Sequence, residues 1–225
     1  MKYYFALLGL ASLASAAPVD VLEDRAACAT GVHMIVARAT SERPGEGIIG
    51  QVASMIKKAI PGSDSVAVNY PASLFNYQSS VTQGASAMKA LIENYVAQCP
   101  NAKIALLGYS QGAQVSADVM CGSSSRRGST SISSAIASKN IIAVIEMGDP
   151  SRVSSQPFNV GTSTRKGIFP RTNAASCQGA QFTQSYCDAG DSFCDSGINT
   201  AVHFGYVAEY GSQAAAFVVS KFKKA

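Results

Sequence analysis

A chain of 225 residues, 47% hydrophobic and 14% charged, is long enough to bury the core of one domain. Its formal net charge of +4 is modest and its basic residues are scattered. Only Ser125-Arg126-Arg127 and Lys221-Phe222-Lys223-Lys224 cluster, and each reads as solvated surface, so a nucleic-acid partner is not expected. With two histidines, and six cysteines that an oxidising compartment would pair, neither a metal nor another cofactor is expected.

The first segment in chain order is a leader. Met1 to Ala16 carries one lysine, an apolar stretch from Tyr3 to Ala14 and the small-residue cleavage site Ala14-Ser15-Ala16, which is the pattern of a secretory signal peptide at 1–16. Residues 17–26, with Asp20, Glu23 and Asp24, read as a short acidic pro-segment, and 27–225 as a single domain. No other segment approaches the ~20 apolar residues of a membrane span, so the expectation is a secreted, extracellular protein without a membrane anchor. Six cysteines in such a chain make three disulfides, connectable in 15 ways. Cys187 and Cys194 stand close enough that their pairing is nearly forced.

Val32–Ala37 reads as the first strand, with His33 as a packed or hydrogen-bonded strand residue. A helix over Ile48–Ile60 stops at Pro61-Gly62, and a short strand at Val66–Val68 is closed by Pro71. The clearest helix spans Ser80–Gln98, with Val81, Ala85, Met88, Leu91, Ile92 and Tyr95 on one face. Ile104–Leu107 is a strand that runs into Gly108-Tyr109-Ser110-Gln111-Gly112 and then a helix. Gly122 to Thr130 is a surface connection without chemistry. Ile141–Ile145 is a further buried strand ending at Gly148-Asp149-Pro150, and a long irregular region leads to a final helix through Tyr206, Val207, Tyr210, Ala214, Phe217 and Val218. Such alternation predicts a parallel sheet with helices on both faces and an active site at the carboxyl ends of its strands.

Gly-x-Ser-x-Gly between a strand and a helix is a nucleophile elbow, which lifts a serine hydroxyl clear of the sheet. The hydroxyl still needs a base, and in this arrangement acid and histidine follow the serine in the chain. That order leaves His203. Five downstream aspartates are candidates to orient it: Asp118, Asp149, Asp188, Asp191 and Asp195. Asp118 falls inside the elbow helix, Asp149 competes from the end of a strand, and the loop bracketed by Cys187 and Cys194 is better placed because a bridge would make it rigid.

Gly108-Tyr109-Ser110-Gln111-Gly112-Ala113-Gln114, the cysteine-bracketed loop at 187–194 and His203-Phe204-Gly205-Tyr206 together resemble the fungal cutinase and acetylxylan esterase family, carbohydrate esterase family 5, over essentially the whole mature chain. The resemblance implies a small α/β-hydrolase of α/β class: a three-layer α/β/α sandwich around a largely parallel five-stranded sheet, open to solvent and without a large lid. It assigns Ser110 as nucleophile, Asp191 as orienting acid and His203 as general base, with Thr40 and the backbone N–H of Gln111 as the oxyanion hole. It pairs Cys28 with Cys99, Cys121 with Cys177 and Cys187 with Cys194. The implied function is a serine esterase acting on a polymeric ester, and a monomer is expected. The stretch Gly205–Ala214 looks like the acetylxylan esterase branch, whereas Leu74 and Phe75 near the presumed rim would suit a cutinase, so acetylated xylan comes first and cutin second. A non-catalytic secreted wall-binding protein or effector is the alternative of another kind; the complete Ser, His and Asp set argues against it.

Overall fold

Three mostly apolar runs, broken only by His33, Lys103 and Glu146, become the central strands β1 (Val32–Ala37), β3 (Lys103–Tyr109) and β4 (Ile141–Met147). The computed structural model describes Met1 and residues 28–124 and 130–225; the expected leader and pro-segment, Met1 apart, and the Arg126-Arg127 cluster lie outside the described residues. Strands β2 (Asp64–Ala67), β5 (Asn159–Val160) and β6 (Thr183–Tyr186) complete a sheet in the order β2-β1-β3-β4-β6-β5, parallel throughout.

A strand covered on both faces has no reason to alternate polar with apolar residues. Its side chains alternate instead between two cores. Met34 and Val36 join Leu107 and Ile145 on one face, and Ile35 joins Leu106 and Val144 on the other. Helices α1 (Gly50–Ala59) and α6 (Tyr206–Phe222) cover the first face. The second is covered by α2 (Tyr77–Gln98), α3 (Gln111–Cys121) and α4 (Ser134–Lys139). Each aliphatic side chain fully buried this way contributes roughly 1.5–3 kcal/mol, so the three central strands carry much of the stability.

The sheet has six strands where five were expected. The additional pairing comes from β5, two residues that align with Ser185 and Tyr186. Helix α2 begins three residues ahead of the expected Ser80, because Asn76 in the left-handed region (φ 53°) turns the chain into it. Disulfides join Cys28 to Cys99, Cys121 to Cys177 and Cys187 to Cys194. Among the described residues no helix is long and apolar enough to cross a membrane.

Strand order fixes where a site can form. The chain leaves β1 for β2 on one side and returns to β3 on the other, so a crevice opens outside the carboxyl ends of β1 and β3. Ser110 follows β3 directly and Thr40 lies three residues after β1. Cys28 and Ala225 lie at the other pole, by the amino ends of the strands: Ala29 donates its N–H to the Tyr95 hydroxyl, and Ala225 lines a groove with Lys103 and Ile141.

Candidate active site

The turn from β3 into α3 places Ser110 at φ 54°, ψ −117°, a region that costs a side-chain-bearing residue of order 1–3 kcal/mol. Its neighbours hold it there. The Ser110 N–H donates to the Met147 carbonyl at 2.7 Å, tying the elbow to β4. Glycine is required on both flanks, since a Cβ on Gly112 would overlap the Ala37 carbonyl and one on Gly108 the Gly112 carbonyl. The next residue, Gln111, starts α3, so its N–H has no acceptor within the helix and sits at the positive end of the helix dipole.

His203 ends the four-residue helix α5 (Thr200–His203), whose start is capped by the Asn199 side chain accepting from the Ala201 N–H at 3.0 Å. The imidazole is buried, with Phe193 packed against it at 4.5 Å between ring centroids. Nε2 lies 2.9 Å from Ser110 Oγ and Nδ1 lies 2.9 Å from Asp191 Oδ2.

Asp191 is fully buried in the loop closed by Cys187–Cys194. Oδ1 accepts the N–H groups of Phe193 and Cys194 at 2.6 and 2.9 Å, and Oδ2 accepts the Tyr206 hydroxyl at 2.6 Å as well as His203. Burial alone would push this carboxyl up, but the bonds from His203, Tyr206 and Phe193 outweigh it and hold it below the usual carboxylate value. An ionised Asp191 keeps the proton of a neutral imidazole on Nδ1, so Nε2 is free to accept from the serine hydroxyl.

The other four aspartates bond elsewhere. Asp188 Oδ1 accepts from the N–H and hydroxyl of Thr162 and from the Tyr210 hydroxyl, and Asp195 accepts from Ser163 and from the Gly190 N–H, so both shape the loop that carries Asp191. Asp149 accepts the Ser151 N–H at 2.8 Å and its hydroxyl. Asp118 pairs with Arg171 at 3.2 Å. Together with Glu146 these last two form a buried acidic group beneath the elbow. Burial pushes Asp118 up to about 6 and Glu146 up to about 8, with Arg171 opposing both. His33, the second histidine, is remote from the elbow near the start of β1, 2.6 Å from Asp64 Oδ1 and stacked on Tyr95.

Thr40 stands beside the elbow. Its Oγ1 accepts from the Gln111 side-chain amide at 3.3 Å, and the same amide donates to the Ser73 carbonyl and accepts from Ser80, which fixes the loop after β1 against α3. Thr40, Ser110 and His203 open onto a cleft of about 380 Å³ whose walls include Leu74, Tyr77, Ile168, Phe169, Phe193 and Phe204. Leu74 and Phe204 are each 67% exposed, so the rim itself is apolar. Ile168 and Phe169 belong to the irregular region that sequence reasoning left without a role; an apolar pair ahead of Pro170 in a polar loop was the available signal. Among the described residues, no group of three or more His, Cys, Asp and Glu could hold a metal ion.

The line from Ser110 through His203 to Asp191 can take a proton from a serine hydroxyl as that oxygen attacks an electrophile, and can return it to a leaving group. The family model for Cutinase matches residues 28–222. Acetylxylan esterase 2 of Talaromyces purpureogenus is 38% identical, over 98% of this chain and 98% of its own. Cutinase 11 of Verticillium dahliae is 36% identical, over 94% of this chain and 75% of its own. A crystal structure of an acetylxylan esterase, 38% identical, superposes with a TM-score of 0.80 over 87% of this chain and 100% of its own.

Proposed function

We propose that this chain, which belongs to the cutinase family and is a carboxylic ester hydrolase, is a secreted serine esterase that removes acetyl groups from acetylated xylan. The observation that carries the reading is the unbroken hydrogen-bonded line Ser110–His203–Asp191 at the mouth of an open cleft. Ser110 Oγ attacks the ester carbonyl while its proton passes to His203 Nε2. The carbonyl oxygen becomes negative, and Thr40 with the Gln111 N–H stabilises it; one such preset donor is typically worth ~2.7–4 kcal/mol. Collapse expels the sugar hydroxyl, which takes the proton from Nε2 and leaves an acetyl-enzyme. Water then repeats the cycle in reverse roles, giving acetate and free Ser110. Asp191 holds the imidazole in the useful tautomer and stabilises the imidazolium.

Acetylated xylan is preferred because relatives named acetylxylan esterase match nearly the whole chain, and the signal pattern at 1–16 supports secretion toward such a polymer. A second reading, hydrolysis of longer aliphatic esters such as those of cutin, is favoured by one specific observation: walls of Leu74, Ile168, Phe169 and Phe204 offer more apolar surface than an acetyl group fills. Initial rates on p-nitrophenyl esters from acetate to palmitate, beside acetate release from acetylated xylan, separate the two. Rates that fall steeply beyond the shortest chains, together with acetate release, are expected. Rates that peak at longer chains with no acetate release would establish the second reading. Ser110→Ala should abolish both reactions, losing ~10⁴–10⁶ in kcat, with a melting temperature near wild type; activity retained within tenfold would sink the nucleophile assignment.

A further inference from the structure

Tyr206 opens α6 and is fully buried, and its sequence position is that of an apolar residue on a helix face. Its hydroxyl nevertheless joins three groups of the neighbouring loop. It donates to Asp191 Oδ2 at 2.6 Å, accepts the Asp188 N–H at 3.0 Å and lies 3.2 Å from Cys194 Sγ. The oxygen it bonds is the same one that His203 Nδ1 meets at 2.9 Å. The two backbone donors on Oδ1 fix one corner of the carboxylate, but the terminal torsion of an aspartate is broad, and a second anchor is needed to fix the plane.

We propose that Tyr206 is a positioning residue of the esterase reaction, its phenol holding the Asp191 carboxylate so that Oδ2 stays in line with His203 Nδ1 and drawing part of the negative charge from that oxygen. The inference rests on the reading of Ser110, His203 and Asp191 as the catalytic relay. Burial and the bond to Asp191 keep the phenol protonated, so it remains a donor throughout the working range. The other titratable groups facing the pair are Asp188 on the same loop, Tyr109 on β3, Tyr210 one turn along α6 and Arg152 after β4. Among the described residues, Tyr206 and His203 are the side chains that hydrogen-bond to the Asp191 carboxylate.

The test is Tyr206→Phe, which keeps the ring and its packing against Tyr109 and Tyr210. On p-nitrophenyl acetate kcat should fall roughly tenfold, because a carboxylate free to turn about its terminal torsion loses its alignment with His203 Nδ1, with KM unchanged. The acid limb of the kcat/KM profile should move up by roughly half a pH unit, because a carboxylate relieved of one donor supports the imidazolium more strongly. Replacing Tyr206 with 3-fluorotyrosine, a stronger donor of nearly the same shape, should move that limb down and serves equally if the Phe variant does not fold. Tyr210→Phe, on the same helix, removes a bond to Asp188 of the loop and should lower the melting temperature and leave the limb in place. A Tyr206→Phe profile that overlays the wild type, a loss confined to KM, or a fluorotyrosine limb that does not move would overturn the role of Tyr206 alone, provided Ser110→Ala is inactive. Activity retained in Ser110→Ala would overturn the relay and this inference together.

Discussion

Asp191→Asn tests whether the carboxylate works through the tautomer it imposes. The two N–H groups that converge on Oδ1 at 2.6 and 2.9 Å decide how the new amide sits, since its oxygen must face them and its NH₂ must take the place of Oδ2. That NH₂ then faces His203 Nδ1 and the Tyr206 hydroxyl. It cannot accept a ring proton, so Nδ1 becomes the acceptor, the proton moves to Nε2, and Nε2 donates to Ser110 instead of accepting from it. The expected loss is about 10⁴-fold in kcat, or about 5 kcal/mol at 1.36 kcal/mol per decade. The assay is kcat on p-nitrophenyl acetate with melting curves recorded alongside, using Asp149→Asn as comparator. Asp149 bonds Ser151 and not His203, so that variant should lose melting temperature and keep kcat within a few fold. The held-down carboxyl of Asp191 stabilises the fold above the usual carboxylate range and loses this contribution as pH falls through its folded value, so any thermal advantage of the parent over Asp191→Asn should shrink in acid. Asp191→Asn active within tenfold of the parent, or Asp149→Asn the more damaged in kcat, would refute the reasoning.

The Cys187→Ser/Cys194→Ser pair should stay folded yet lose kcat: its closure of 7 residues is worth about 2.4 kcal/mol on chain-entropy grounds, against about 4.4 for the 71-residue Cys28–Cys99 closure, while a shift of about 1 Å at Asp191 costs ~10²-fold in rate. Both double variants, assayed below their melting points, check this, and a 187/194 variant with parental kcat would remove the bridge from the argument. Glu146 is buried, and its carboxyl is raised from 4.5 to about 8, so the folded protein keeps a proton that the unfolded chain has released between those values and stability falls as pH rises across that window. Glu146→Gln should flatten this dependence in melting curves taken from about pH 5 to about pH 9; two curves that run parallel would show that Glu146 does not carry it.

How much could be read beforehand follows from length and local chemistry. Strands β1, β3 and β4 announce themselves because burial on both faces demands a run of four to six apolar or small residues, and the elbow because two glycines flank a serine at a strand end. Strands β5 and β6 and helix α5 have only two, four and four residues, too few for any period to emerge, and β5 exists only through pairing with β6. Within the site, chain order singles out His203, and the cysteine pair points to a loop. Local chemistry does not choose among Asp188, Asp191 and Asp195, and before the structure only the family resemblance picks Asp191, because all three sit in the same eight-residue neighbourhood and only backbone direction separates a carboxylate that meets His203 from two that brace the loop. Tyr206 is hidden for the opposite reason: a buried aromatic on a helix face reads as core until the partners of its hydroxyl are seen.

Cys28 and Ala225 both emerge at the pole opposite Ser110. A segment joined behind Ala225 therefore starts away from the cleft, and a protein tethered through that residue to a bead or fibre would present its working face outward. The molecule is thus suited to display on a solid support without a redesigned linker, whereas a tether through the exposed Leu74 or Phe204 rim would press the cleft against the surface that carries it.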